Sequence, residues 1–380
     1  MTRQGGVVNL STVKTKQWTL PGPPRQSAVP DPPTTPARSA SAGGPHVPWW
    51  LWIQVLSLDA PLVIVLWQAA LAHTHRIHLP SAFHWGLGLV TWVVYLLDRT
   101  ADAKSGRLRE PLSTRHAFCL QHQRLIFTVL LPAGGLGILW IALHDLPSGL
   151  LWRGLAMALL GAVYLACFSV RRGSVLHWVL VLLAIAAGLV LIGALPVPLP
   201  YQMATGGIFA GLMTFAALGK LDARWRSLLP KEVVAALLIA LGCSTGVHFW
   251  TSDSHPVICI EVELAGCLFL LNLLGIAASE HLSKLHADPK SVLGQRPSLA
   301  ASHQALVAAL LAWSLWVAAT NIREHHAPGV AATAIVVASA ALLSGVVHLF
   351  ARHLRPELYH LLADAALIAP LPLLVWVIPN

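Results

Sequence analysis

The stretch PGVAATAIVVASAALLSGVVHL, Pro328–Leu349, runs for 22 residues without a Lys, Arg, Asp or Glu. A helix that crosses the hydrocarbon of a bilayer needs about 20 predominantly apolar residues, with about 17–25 usual. A surface helix of a soluble protein instead confines its apolar residues to one stripe. This segment is apolar all round, so it reads as a membrane span.

Ten further runs of similar character flank it. Together the eleven fall at about 50–72, 82–97, 125–144, 150–170, 175–195, 203–219, 233–250, 257–278, 302–320, 328–349 and 359–378. The 82–97 run is slightly short, and its helix is expected to continue into the polar residues after it. The first run reads either as one span or as an interfacial piece, Trp49 to Leu56, followed by a helix starting near Ser57. The Trp49-Trp50-Leu51-Trp52 cluster suits the headgroup layer, where indole rings are favoured.

Composition agrees with the runs. Of 380 residues, 56% are apolar before the 28 glycines are added, and only 11% are charged. Soluble domains hold about 45–50% apolar residues with glycine included, and about 25% charged. Disorder goes with low hydrophobicity and high charge, the opposite of this balance. The expected fold class is all-α, a polytopic membrane helical bundle of about eleven transmembrane helices, residues 49–380. Residues 1–48 stand apart, with nine prolines among Ser, Thr and Gly and no helical period. They read as a disordered cytoplasmic tail, and they lack the basic-then-apolar start of a cleaved signal peptide.

The formal charge of +9 raises the question of nucleic acid, and the position of the basic residues answers it. With the tail inside and the connections alternating, 22 of the 25 Lys and Arg lie on inner segments. Outside remain Arg76, Arg153 and Arg323. That is the positive-inside pattern. It places the N-terminus in the cytoplasm and the C-terminus outside, in a cytoplasmic membrane, and the basic excess needs no nucleic acid. The five cysteines, Cys119, Cys167, Cys243, Cys259 and Cys267, form no CxxC pair and read as small packed residues.

The sixteen carboxylates carry the functional information. The second run ends Trp92-Val-Val-Tyr95-Leu-Leu-Asp98-Arg99-Thr-Ala-Asp102, and Asp98 and Asp102 project from one helix face a turn apart. The eighth run ends with Ser279-Glu280-His281-Leu-Ser-Lys284-Leu-His286-Ala-Asp288 on the same side. A diphosphate is suited to such a place. Mg²⁺ binds through one or two carboxylates plus substrate phosphate oxygens, and Lys and Arg cover the remaining anionic oxygens. The other reading is a wet membrane edge where Asp98 and Asp102 pair with Arg99 and neighbouring basic groups. Asp59, beside Pro61, and Asp364, two turns into the last span, are expected to line the same pocket, since intramembrane carboxylates normally face a polar cavity. Arg171, Arg172, Lys220, Arg224 and Lys231 read mainly as topology determinants, with Lys231-Glu232 after Pro230 starting a helix.

Aspartates at the inner ends of two membrane helices resemble the UbiA-type intramembrane prenyltransferases. That family carries a pattern like NxxxDxxxD after its second helix and DxxxD after its sixth. Asp98-Arg-Thr-Ala-Asp102 matches the second half of the first pattern, with Val94 in the place of the asparagine. Glu280 and Asp288, eight apart with Lys284 between them, stand for the second. Removing 175–219 as an inserted hairpin restores the family's nine helices. The resemblance implies transfer of an isoprenyl group from an isoprenyl diphosphate to a lipophilic acceptor, aromatic acceptors included. It implies Mg²⁺ held by Asp98, Asp102, Glu280 and Asp288, with Asp98 and Asp102 as the catalytic pair. Arg99, Lys284, Asp59, Asp364 and Arg171 are then the expected substrate-binding residues, and membrane lipids the remaining partners. A transporter or lipid-binding protein and a non-catalytic membrane scaffold are the alternatives from other classes.

Overall fold

Apolar residues on every face make each long segment a helix that satisfies its own backbone, which is what a hydrocarbon solvent demands. The computed structural model describes residues 48–104, 114–169, 173–193, 203, 230–250, 256–282, 291, 293, 302–324 and 328–377. Among these residues the regular structure is entirely helical. A 3₁₀ turn at Trp49–Leu51 leads into α1 (Trp52–Val55), α2 (Asp59–Thr74), α3 (Ser81–Lys104) and α4 (Thr114–Gln121). The short α5 (Gln123–Leu125) runs through a π-helical turn into α6 (Leu131–His144). Then follow α7 (Ser148–Tyr164), which ends in a π-helical turn at Leu165–Ser169, and α8 (Val175–Gly193). The rest is α9 (Lys231–Trp250), α10 (Pro256–Leu282), α11 (His303–Glu324), α12 (Pro328–Leu349), α13 (Pro356–Ile368) and α14 (Pro372–Val377).

Among the described residues, seven helices are long and apolar enough to cross a membrane, or up to eight if the bent Trp49–Val55 and Asp59–Thr74 pair is one span. The protein is an integral membrane protein by this measure. α3 has 24 residues but ends in Asp98, Arg99 and Asp102, which lower its hydropathy. The expected span at 203–219 lies almost wholly outside the described residues.

α12 is the central helix: 67% of its apolar window is buried inside the protein, against 11% for Gln123–His144. Ala331, Ala334, Ala338, Ala341 and Gly345 are among its buried residues, and such small side chains let neighbouring helix backbones approach. α12 packs along α11, α10, α13 and α2, while α9 packs along α10, α2 and α7. Trp67 of α2 is 1% exposed and meets Phe269 of α10 edge to face, ring centroids 5.7 Å apart. By contrast, Leu136, Leu139, Trp140 and Leu143 of α6 are exposed. In water such a band would be costly; against lipid tails it is not.

Of the two readings of the first run, the divided one holds. Trp49–Val55 and α2 are bent by 78°, and Ser57 at the corner has φ 58°, in the left-handed region. Asp59 then occupies the first turn of α2, where the positive end of the helix dipole favours a carboxylate.

Candidate functional site: a charged vestibule on an apolar cavity

A cavity of about 550 Å³ lies among α2, α3, α6, α7, α9, α10 and α13. On α3 its lining recurs at Phe83, Leu87, Val90, Val94, Asp98 and Asp102, which is one helix face. At about 1.5 Å per residue those positions span about 28 Å. The cavity therefore follows α3 for nearly its whole length.

Its two ends differ. Asp59 from the start of α2, Asp98, Arg99 and Asp102 from the end of α3, and Arg115 from α4 line one end. Lys231 and Glu232 from the start of α9, Glu280 from the end of α10, and His360 and Asp364 from α13 join them. Leu146, Leu150, Leu155 and Ile239 belong to the rest of the lining, where Gln68, Thr91 and Thr245 are the polar interruptions. The chain thus builds a long apolar chamber with a charged mouth. Of the site residues expected from sequence, Asp98, Arg99, Asp102, Asp59, Asp364 and Glu280 share this one cavity. Lys284, Asp288 and Arg171 lie outside the described residues.

Arg99 is engaged by the protein itself. Its Nη1 donates to Gln54 O at 2.6 Å and Ser57 Oγ at 3.3 Å, and its Nη2 to Asp59 Oδ2 at 2.9 Å. The guanidinium also lies over the Tyr95 ring, 4.3 Å from its centroid. Arg99 therefore clamps the α1–α2 corner, and Asp59 has one oxygen in that clamp. The other, Asp59 Oδ1, is buried without a hydrogen-bond partner.

The aspartate pair does not use Arg99. Ser169 Oγ donates to Asp98 Oδ1. Lys231 Nζ donates to Asp102 Oδ2 at 3.0 Å and stands 3.7 Å from Asp98 Oδ2. Glu280 Oε1 accepts from Arg115 Nη2 at 2.9 Å, with His360 Nε2 3.5 Å from the same oxygen. Asn272 Nδ2 donates to Asp364 Oδ1 at 3.2 Å. Lys231 is the main partner that reading the sequence underrated. Its place directly after Pro230 announced a helix start, while its proximity to Asp98 depends on how α9 packs. Arg115, His360, Ser169 and Asn272 gave no sequence signal.

The lining holds six carboxylates against three Lys and Arg. An anionic head entering alone would meet net negative charge, whereas one accompanied by a divalent cation would not. Among the described residues no group of three His, Cys, Asp or Glu is placed to hold a metal by itself. Mg²⁺ does not require one, because one or two carboxylates and the substrate's phosphates suffice. Asp98 and Asp102 fit that role: they already close on a single cation, the Lys231 ammonium. Glu280, held by Arg115, is less available.

No family model, curated protein or solved structure matches the chain.

Proposed function

We propose that the protein is a divergent UbiA-like membrane prenyltransferase, moving an isoprenyl group from an isoprenyl diphosphate to a lipophilic acceptor. The observation that carries this reading is the shape of the chemistry in one cavity: a charged mouth at Asp98, Asp102 and Lys231, and an apolar body along α3. A long hydrocarbon with a diphosphate head has that same division. The reading keeps eleven spans, with the N-terminus in the cytoplasm and the C-terminus outside a cytoplasmic membrane. It keeps Glu280, Asp288, Lys284 and Arg171 as further head-group residues.

In this mechanism Asp98 and Asp102 would hold Mg²⁺, with Glu280 and Asp288 as a second set. Bound magnesium supplies positive charge to the departing diphosphate. Lys231 and Arg115 take phosphate oxygens, and Arg99 keeps Asp59 and the α1–α2 corner in place. The C–O bond to the diphosphate breaks and its electron pair leaves with the diphosphate. The apolar walls keep water from the allylic cation, and the acceptor forms the new bond and releases its proton to water at the charged end.

A second reading is a non-catalytic binder or carrier of the same amphiphile. The presence of Lys231 within the aspartate pair favours it, because the ammonium neutralises those carboxylates. Incubating membranes with a labelled isoprenyl diphosphate and Mg²⁺ separates the two. Transfer to lipid-soluble product that disappears in Asp98→Asn supports the enzyme. Saturable binding without transfer supports the binder, and full activity in the mutant removes the site assignment.

A further inference from the structure

Two segments remote in sequence place one ammonium between two carboxylates. Lys231 Nζ lies 3.0 Å from Asp102 Oδ2 and 3.7 Å from Asp98 Oδ2. All three side chains are less than one-fifth exposed, so water screens them only partly. Ser169 holds the other oxygen of Asp98, which leaves Oδ2 directed to the lysine.

The position of Lys231 in its own helix is unfavourable. It is the first residue of α9, a helix of 20 residues, and a cation there opposes the positive end of the macrodipole. The two aspartates offset this, and a phosphate would offset it better. An anion at the same place gains both the ammonium and the positive end of the α9 dipole. The same charged end of the cavity also holds a buried carboxylate oxygen with no hydrogen-bond donor, Asp59 Oδ1, so positive charge is short there.

Resting on the reading of Asp98 and Asp102 as metal ligands, we propose that Lys231 is a resident cation that couples metal binding to phosphate binding. With no ligand its ammonium occupies the aspartate pair and keeps a divalent ion out. When a phosphate head arrives, the flexible lysine stem turns its ammonium to the phosphate oxygens. The carboxylates are then released to the metal. Each ligand raises the affinity of the other by the same factor, as linkage requires. The site thereby resists loading with metal alone.

Titration of purified, detergent-solubilised protein with Mn²⁺ alone, followed by the electron paramagnetic resonance of the free ion, tests this. Lys231→Gln is expected to bind Mn²⁺ at least about tenfold more tightly than the wild type. Lys231→Arg, which keeps the charge, is expected to stay near the wild type, and Lys231→Gln with Asp98→Asn to lose the gain. Equal Mn²⁺ affinity in wild type and Lys231→Gln, with Asp98→Asn weakening both, overturns the coupling and leaves the metal site standing. No Mn²⁺ binding in any of these monodisperse proteins overturns the metal site and the coupling together.

Discussion

Arg99 Nη2 and Asp59 Oδ2, 2.9 Å apart, join the end of α3 to the first turn of α2. Both side chains are 5% exposed, so neither charge has water as a substitute partner. Taking away one member of a buried ion pair costs about 3–5 kcal/mol, because the other charge is stranded. Arg99→Met is therefore expected to lower the unfolding temperature sharply in detergent, and adding Asp59→Asn to restore part of it. A double mutant no more stable than Arg99→Met would show that the pair is not what the loss reflects.

The helix packing gives a second expectation. A Cβ built on Gly329, at the start of α12, would lie 2.6 Å from the carbonyl oxygen of Thr74 at the end of α2. That atom is backbone and cannot rotate away. Overpacking of this kind costs about 1–3 kcal/mol, so Gly329→Ala is expected to reduce thermal stability. Gly161 of α7 meets nothing within 4 Å of the same hypothetical atom. Gly161→Ala is expected to leave stability unchanged or raise it by up to about 1 kcal/mol through helix propensity.

That open space supplies a test of ligand size. Gly154 and Gly161 both line the cavity and both have room for a side chain. Gly161 lies one turn from Tyr164, on the charged side; Gly154 lies two turns further along α7. Leucine at 154 is expected to shorten the chamber, so that competition binding shifts in favour of shorter isoprenyl diphosphates. Leucine at 161 is expected to weaken binding of all chain lengths. Equal chain-length profiles in the two variants and the wild type would place the ligand elsewhere.

At the other end of the bundle, Glu261 of α10 is 1% exposed and pairs with His75 Nε2 and with Thr333 Oγ1, the latter at 3.0 Å. An unpaired buried polar group costs about 1–3 kcal/mol, and more when it is charged. His75→Ala is expected to destabilise, and Glu261→Gln in that background to recover stability by removing the charge. The measurement is thermal unfolding of the single and double variants, read as a cycle.

The all-helical membrane class followed from apolar runs whose length is set by the bilayer, and those runs need no tertiary knowledge. The corner at Ser57 was legible as one of two readings of the first run, because its Trp-rich start suits the headgroup layer. Asp98 and Asp102 stood out as carboxylates one turn apart in a chain with few charges. Their partner did not: Lys231 is 129 residues from Asp102, and its insertion depends on α9 crossing the end of α3. The partners of Arg99 were hidden for a related reason. Beside two aspartates it resembles a phosphate ligand, yet its side chain reaches back to Gln54, Ser57 and Asp59.

Equilibrium binding of a labelled isoprenyl diphosphate to the purified protein, with and without Mg²⁺, tests the head-and-tail cavity most directly. The expected result is saturable binding that requires the metal, falls in Asp98→Asn and Asp102→Asn at the charged mouth, and falls in Gly161→Leu within the chamber. Binding that is independent of Mg²⁺ and the same in all three variants would contradict it.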